Sequence, residues 1–238
     1  MFGLVDLFKG QGCLGDFVVA EASKVYKKPS SVSFQEACCI PVAGVTALAA
    51  IESIGRVTAG SEVVINGCSG GVGLLAVQIA KLKGAVVTGV CSSAGVEAAK
   101  AAGCEHVVDY TKEDIIEYMA KSGKKYDLFF ELSMRAVSFH QVKASMKPIS
   151  CFLTASPSIF GVVSDKIRNL FASQRNTIIL ADSFMNHENF KKLADMLDAK
   201  SIKIEIAKVY PLSAVRDAAA ALEKGKFVGK LVVDLTTN

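Results

Sequence analysis

No apolar stretch in this sequence reaches the about 18 to 20 residues that a membrane-spanning helix requires. The N-terminus, MFGLVDLFKGQG, also lacks the cationic start and continuous apolar segment of a secretory signal. These two absences predict a protein that does not enter membranes and that works in the cytoplasm.

The cysteine spacing of structural zinc sites and of disulfide frameworks is missing as well. The seven cysteines are odd in number and contain no CxxC pair. The three histidines, His106, His140 and His187, are not spaced as the ligands of a metal site. We therefore expect reduced, mostly buried thiols, including the adjacent Cys38 and Cys39, histidines in packing or surface roles, and no metal.

A stripe of positive charge is also missing. The net charge is only +4, and the lysines are interspersed with acidic residues. This pattern argues against a nucleic-acid surface. A small acidic or phosphorylated ligand suits this modest positive charge better.

What the sequence does have is a regular alternation of strands and helices. With 51% apolar and 21% charged residues it is typical of a globular protein. From residue 62 onward, short β-branched runs alternate with helical patterns, which predicts βαβ units, a parallel sheet and a doubly wound α/β dinucleotide fold. The six predicted strands are Glu62–Asn66, Ala85–Val90, His106–Asp109, Asp127–Leu132, Ser150–Ala155 and Asn176–Ala181.

Helices are predicted between these strands. The first has one apolar face and ends at Gly84; the others are Ser93–Ala102, Lys112–Lys121, Ala136–Met146, Ser164–Ser173 and Glu188–Ala199. The two flanks of this region do not follow the alternation of strands and helices. DFVVAEASKVYKKP and IKIEIAKVYP look like strands, SSVSFQEA like a capped short helix, and a helix opened by Ser213 precedes the strand GKLVVDL. We expect these flanks to form a second, smaller domain.

The turn after the first strand carries the clearest motif, Cys68-Ser69-Gly70-Gly71-Val72-Gly73. A glycine-rich turn between a strand and a helix turns tightly, lets a pyrophosphate approach the backbone, and offers it the N–H groups of the helix start. Cys68 stands where the first glycine of GxGxxG is expected. Because the motif follows a strand and opens an amphipathic helix, it predicts a dinucleotide site.

The end of the second strand bears on which dinucleotide binds. An NAD site usually has a carboxylate there, whereas this chain has Cys91-Ser92-Ser93, with Glu97 as the next acidic residue. The hydroxyls of Ser92 and Ser93 can donate to a 2′-phosphate, although Ala94 stands where an arginine or lysine would help. We expect NADP, with NAD as the alternative.

The segment from FQEACCIPVAGVTALAAIESIGRVTAG through the glycine turn resembles the medium-chain dehydrogenase/reductase superfamily, in its zinc-independent quinone oxidoreductase (zeta-crystallin-like) branch. The resemblance continues through GAVVTGVCSS, AAGCEHVVDYT, KYDLFFEL and YPLSAVRDAAAALEKGKFVGKLVVDL, and so covers nearly the whole chain. It implies an NAD(P)H-dependent hydride transfer to a quinone, enone or carbonyl substrate.

The resemblance also implies cofactor contacts, but it assigns no catalytic residue. The matching positions are Ser69, Gly70, Gly71, Val72 and Gly73 for the pyrophosphate, and Ser92, Ser93 and Tyr110 for the phosphate on the adenosine ribose. Thr46 matches the threonine beside the nicotinamide, and the loops that line the cofactor crevice are matched by Leu132, Ser133, Thr154, Ala155 and Ser156.

The domain plan follows from the same resemblance. Residues 1–41 match the remnant of a GroES-like β domain, 42–200 the Rossmann domain with its six-stranded sheet, and 201–238 a return segment to the substrate domain. Most of the substrate domain is thus expected to be absent, through a truncated gene model or a shortened natural form. A homodimer paired through the sixth strand, NTIILA, is a further expectation.

Two alternatives stay open. One is a dinucleotide-binding module without catalysis, and the other is a zinc-dependent alcohol dehydrogenase whose ligands lie in the missing region.

Overall fold

A computed structural model describes residues 1–5, 12–133, 137–155, 174–179 and 184–236. The chain divides into two compact units, Thr46–Leu180 and Met1–Val45 with Ala181–Asn238. We call them the sheet unit and the terminal unit. The two ends of the chain share one unit, and the domain boundaries drawn from the sequence stay predictions.

Six parallel strands form the sheet unit. They are β3 (Glu62–Asn66), β4 (Val86–Cys91), β5 (His106–Asp109), β6 (Tyr126–Glu131), β7 (Met146–Thr154) and β8 (Gln174–Ile178). Their order is β5-β4-β3-β6-β7-β8, with every neighbouring pair parallel. This is the order of the doubly wound dinucleotide fold, so the α/β class with its Rossmann sheet is confirmed.

The predicted strands agree with the observed ones to different degrees. The bounds of β3 and β5 are as predicted, and those of β4 and β6 differ by one residue. β7 begins four residues early because Met146 pairs with Tyr126 of β6, a pairing that no local pattern reveals. For β8 the described part ends before residue 181, the predicted end.

The helices of the sheet unit precede or connect these strands. They are α2 (Ile40–Leu48, shared with the terminal unit) with the π-helical Ala49–Ile54, α3 (Gly71–Leu82), α4 (Val96–Ala102), α5 (Ile115–Ser122) and α6 (Phe139–Val142). Gly84 ends α3 with a φ of +78°, as predicted. The predicted helix Ala136–Met146 is present as α6 and a 3₁₀ turn, Lys143–Ser145, and it is wrong at Met146, where the strand β7 starts. The predicted helix Ser164–Ser173 lies outside the described residues.

The terminal unit holds β1 (Phe2–Gly3), β2 (Val25–Tyr26), α1 (Phe34–Ala37), α7 (His187–Asp198), β9 (Ile206–Pro211), α8 (Val215–Lys224) and β10 (Lys230–Asp234). The capped helix is confirmed, since Ser33 and Glu36 form a capping box. The long strand expected in DFVVAEASKVYKKP is wrong. Only Val25–Tyr26 pairs there, and Phe17 before it is 97% exposed.

The adjacent cysteines of the terminal unit differ in exposure. Cys39 is buried as expected, but Cys38 is exposed, because it lies in the turn between α1 and α2. Both thiols donate to the carbonyl oxygen of Gln35, over 3.2 and 3.3 Å. When Cys38 is ionised, the Cys39 S–H can turn from Gln35 and donate to the Cys38 sulfur. This hydrogen bond and the charge of Lys230 lower the pKa of the Cys38 thiol to about 7.

We expect iodoacetamide to alkylate Cys38 with a rate that rises through pH 7, since the thiolate is the nucleophile and its fraction increases above the pKa. Cys39→Ala removes the hydrogen-bond donor and should move this midpoint upward, toward the roughly 8.5 of a free thiol. Peptide mass spectrometry across a pH series measures both, with Cys13, also exposed, as reference. If the alkylation of Cys38 depends on pH identically in the parent and in Cys39→Ala, Cys39 does not lower the pKa of Cys38.

Candidate functional site

The carboxyl ends of the six parallel strands lie at one edge of the sheet. The strand order reverses between β3 and β6, and in open α/β sheets ligands bind outside the carboxyl ends at such a point. Asn66, the last residue of β3, pairs with Glu131, the last residue of β6, and Glu131 pairs with Thr154 at the end of β7. The turn after β3 and the loops after β6 and β7 therefore start side by side.

The glycine turn after β3 is made by Gly67 rather than at Cys68. Gly67 has a φ of +92°, the left-handed region that favours glycine, and its N–H and that of Cys68 both donate to the carbonyl of Val90. Cys68 stands at the first position of the GxGxxG spacing, but it does not make the turn. Gly67 makes the tight turn, one residue earlier.

Cys68 has a packing role under the turn. Its side chain is fully buried, and a Cβ on Gly89 of β4 would lie 2.7 Å from the Cys68 Sγ and 2.6 Å from the Cys104 Sγ. Hydrogen bonds with Cys104 and Cys91, together with burial, raise the pKa of the Cys68 thiol. Cys68 is therefore a protonated thiol that packs against Gly89.

The start of α3 offers free N–H groups at this turn. The first bond within the helix runs from Leu74 N to Gly70 O, over 2.9 Å. The N–H groups of Gly71, Val72 and Gly73 come before it and have no acceptor within the helix. Such a helix start attracts phosphate through these donors and its partial positive charge.

Close contacts show why glycine is needed around the turn. A Cβ on Gly73 would lie 2.2 Å from the carbonyl oxygen of Gly67, so the helix approaches the strand as only glycine allows. A Cβ on Gly95 would lie 2.7 Å from the Ser69 Oγ. One on Gly67 would lie 3.2 Å from Ser133 N. The glycine turn thus touches both the segment after β4 and the loop after β6.

The segments after β4 and β5 meet through side chains. Ser93 donates from its hydroxyl to the Asp109 carboxylate over 2.5 Å, and Thr111 donates to the same carboxylate from both its N–H and its hydroxyl. Tyr110, 37% exposed, donates its N–H to the carbonyl of Cys91. The structure therefore brings Ser93 and Tyr110 together. It adds Asp109, which sequence reasoning missed because it considered only the strand before Ser92.

The loop after β6 is held by a buried carboxylate. Glu131, 3% exposed, accepts from the side-chain amide of Asn66 over 2.7 Å and from the N–H groups of Ser133 over 2.6 Å and Val137 over 3.2 Å. The Asn66 amide also donates to the Ser133 hydroxyl. Sequence reasoning missed Glu131 and Asn66 too. The sequence signal that could have found Glu131 is the acidic residue at the end of the apolar strand YDLFFE.

The remaining predicted positions lie in different places. Leu132, Thr154 and Ala155 start the loops at the sheet edge, with Leu132 N donating to Asn66 O and Ala155 N to Glu131 O. Thr46 lies on α2 and is 5% exposed; its place beside the nicotinamide stays a prediction. Ser156 lies outside the described residues.

The described residues do not form a metal centre. They contain no group of three or more histidine, cysteine, aspartate or glutamate side chains that could hold an ion. His106 lies 3.4 Å from the Lys124 ammonium, and His187 lies 2.8 Å from the carbonyl of Ala22. In the same described part of the chain, no helix has the length and hydropathy of a membrane span.

Comparisons with known proteins agree with this geometry. Residues 102–233, more than half of the chain, match the family model of the zinc-binding dehydrogenases. The chain is similar to the chloroplast envelope quinone oxidoreductase homolog of Arabidopsis thaliana, 28% identical over 94% of this chain and 69% of the relative. It is also similar to a mitochondrial NAD(P)H oxidoreductase of Bos taurus, 27% identical over 94% of this chain and 62% of the relative.

A solved structure gives the same picture. The quinone oxidoreductase from Coxiella burnetii has a TM-score of 0.79 and 28% identity, over 91% of this chain and 65% of the other. The chain spans about two thirds of the length of these relatives. It belongs to the zinc-binding dehydrogenase family, within the medium-chain dehydrogenase/reductase superfamily, and resembles its quinone oxidoreductases.

Proposed function

We propose that this chain is an oxidoreductase that binds NAD(P)H at the carboxyl edge of the sheet unit and transfers hydride to a quinone, enone or carbonyl substrate. The observation that carries the proposal is the glycine turn Gly67–Gly73. Gly70, Gly71 and Gly73 carry no side chains at the start of α3, and the N–H groups of Gly71, Val72 and Gly73 precede the first hydrogen bond within this helix. The quinone and NAD(P)H oxidoreductases among its relatives support the same chemistry.

Each part of the edge has a task in this proposal. The N–H groups of Gly71, Val72 and Gly73 bind the pyrophosphate, and Ser92, Ser93 and Tyr110 surround the adenosine ribose. Glu131 keeps the loop of Leu132 and Ser133 close to the turn, where it lines the cofactor crevice with Thr154 and Ala155. The hydroxyl and methyl of Thr46 help to set the face of the nicotinamide ring. The bound nicotinamide supplies the hydride. The residues orient its ring and exclude water on the protein side.

The experiment separates binding from turnover. Calorimetry of the full chain with NADH and with NADPH measures binding, and cofactor oxidation in the presence of quinones, enones and aldehydes measures catalysis. We expect both. Binding without turnover would favour the non-catalytic dinucleotide module, and no binding of either cofactor at millimolar concentration would overturn the proposal. A zinc-dependent alcohol dehydrogenase would show alcohol oxidation that a chelator abolishes.

Assembly and location also remain proposals. β8 is the edge strand of the described sheet, as pairing into a dimer through this strand requires. By their names, the Arabidopsis thaliana relative belongs to the chloroplast envelope and the Bos taurus relative to mitochondria, and the cytoplasm expected from the sequence stays a prediction for this chain.

A further inference from the structure

We propose that Cys38 and Cys39 form a dithiol site for a trivalent arsenical that carries one organic group, with both sulfur atoms bonded to the same arsenic atom. Both residues belong to the terminal unit. Neither is part of the candidate cofactor site, so the dithiol site does not depend on the proposed function.

The turn between α1 and α2 brings the two thiols together. The N–H of Cys38 donates to the carbonyl of Phe34 over 3.0 Å, and that of Cys39 donates to the carbonyl of Glu36 over 3.1 Å. Both Sγ atoms lie beside one acceptor, the carbonyl oxygen of Gln35, at 3.2 Å from Cys38 and 3.3 Å from Cys39. The hydrogen-bonded backbone therefore directs both sulfur atoms to the same side of the turn.

The number of available ligands decides which kind of centre fits. Thiolates prefer soft, thiophilic centres. A structural zinc ion takes four protein ligands, and the described residues contain no group of three or more histidine, cysteine, aspartate or glutamate side chains that could hold an ion. Trivalent arsenic that already carries one organic group needs only two further bonds. Two adjacent thiols satisfy such an arsenical, whereas they would leave zinc incomplete.

The two thiols differ in a way that suits a stepwise reaction. Cys38 is exposed, and the hydrogen bond from Cys39 and the charge of Lys230 lower its pKa to about 7, so the nucleophilic thiolate is present at neutral pH. Cys39 is buried, and the hydrogen bond with Cys38 together with burial raises the pKa of its thiol. Cys38 would bond first, and the tethered arsenic would then meet Cys39 at a high effective concentration.

The reaction with phenylarsine oxide balances without an oxidant or a reductant. Two As–S bonds form, the As–O bond and both S–H bonds break, and the oxygen leaves with the two protons as water. Arsenic stays trivalent. The adduct therefore adds the mass of phenylarsine oxide less one water.

The other cysteines compete poorly for this ligand. Cys13 is exposed, but it has no adjacent cysteine in the sequence. Cys68 hydrogen-bonds with Cys91 and Cys104, yet all three thiols are buried in the folded sheet unit. Buried thiols of this kind are inert until the structure opens. We therefore expect one arsenical per chain, held by two bonds in the terminal unit.

The test treats the folded full chain with phenylarsine oxide in an excess of 2-mercaptoethanol, which displaces arsenicals held by a single thiol. Intact mass and peptide mapping should find one arsenical on the peptide that contains residues 38 and 39, and 2,3-dimercaptopropanol should release it. Cys38→Ser and Cys39→Ala should each lower the affinity, measured by titrating the monothiol, at least about 100-fold, because the second, intramolecular bond is lost. Cys13→Ser is the matched control and should bind like the parent.

Two kinds of result would overturn the proposal. One is a parent chain that loses the arsenical to the monothiol, or that carries it on Cys13 or on the buried cysteines of the sheet unit. The other is a folded Cys38→Ser or Cys39→Ala that retains the arsenical as the parent does. Because the parent's adduct and its position are measured without any substitution, the proposal stays testable even if a variant does not fold.

Discussion

Replacing Gly73 by alanine is expected to weaken NAD(P)H binding roughly 100-fold, about 2.7 kcal/mol, and to destabilise the fold by about 3 kcal/mol. The new Cβ would lie 2.2 Å from the carbonyl oxygen of Gly67 and 2.7 Å from the Cys68 Cα. Both are backbone atoms at the end of β3, which cannot rotate away as a side chain can. The helix start must therefore move from the strand, and its N–H donors move with it.

Two other glycines serve as controls for this substitution. A Cβ on Gly70 would meet no protein atom closer than 3.5 Å, and a Cβ on Gly15 would meet none within 4 Å. Gly70→Ala should keep its stability within about 1 kcal/mol of the parent, and Gly15→Ala should match the parent in both stability and affinity. Urea unfolding and calorimetry measure these quantities. Gly73→Ala with the parent's affinity would refute the role of the close helix–strand approach.

Replacing Glu131 by alanine is expected to cost about 3 kcal/mol of unfolding free energy. Three donors, the Asn66 amide and the N–H groups of Ser133 and Val137, converge on this carboxylate. Alanine would leave them without their acceptor at a site where the carboxylate is 3% exposed, and each unsatisfied donor costs about 1 to 3 kcal/mol where no water replaces it. The loop that should line the nicotinamide would lose its link to β3.

The matched control for Glu131 is Glu117, an exposed carboxylate on α5 that pairs with Lys121. Glu117→Ala should cost less than about 0.5 kcal/mol, because exposed ion pairs contribute little. Glu131→Gln keeps the size of the side chain but places an amide N–H group against one of the three donors. The unfolding free energy of this variant should therefore fall between those of Glu131→Ala and the parent chain. If Glu131→Ala unfolds like Glu117→Ala, the carboxylate does not hold the loop.

The sequence predicts the sheet well where local signals agree. The β-branched runs of β3 and β5 end in turn residues, and their bounds are as expected. The sequence prediction fails where pairing with a strand that is distant in the sequence sets the bounds of an element. Met146 looks like the end of a helix, but its pairing with Tyr126 starts β7 there, and the strand DFVVAEASKVYKKP is reduced to Val25–Tyr26 for lack of a longer partner among the described residues.

The candidate site shows the same division. The glycine turn and the serines after β4 are readable from spacing, because each lies directly after its own strand. Asp109 and Glu131 are not, since their roles depend on which strands become neighbours and at which register. The part that Gly67 plays in the turn depends on its φ of +92°, which spacing alone does not reveal.

The most direct test of the dinucleotide site is an NMR titration of the full chain, labelled with ¹⁵N at glycine, with NADH. If the account holds, the amide signals of Gly70, Gly71 and Gly73 move as the cofactor saturates, while those of Gly123 and Gly225, at the ends of α5 and α8, stay in place. Saturable binding that leaves the signals of the glycine turn unmoved would contradict the central claim that this turn holds the cofactor's pyrophosphate.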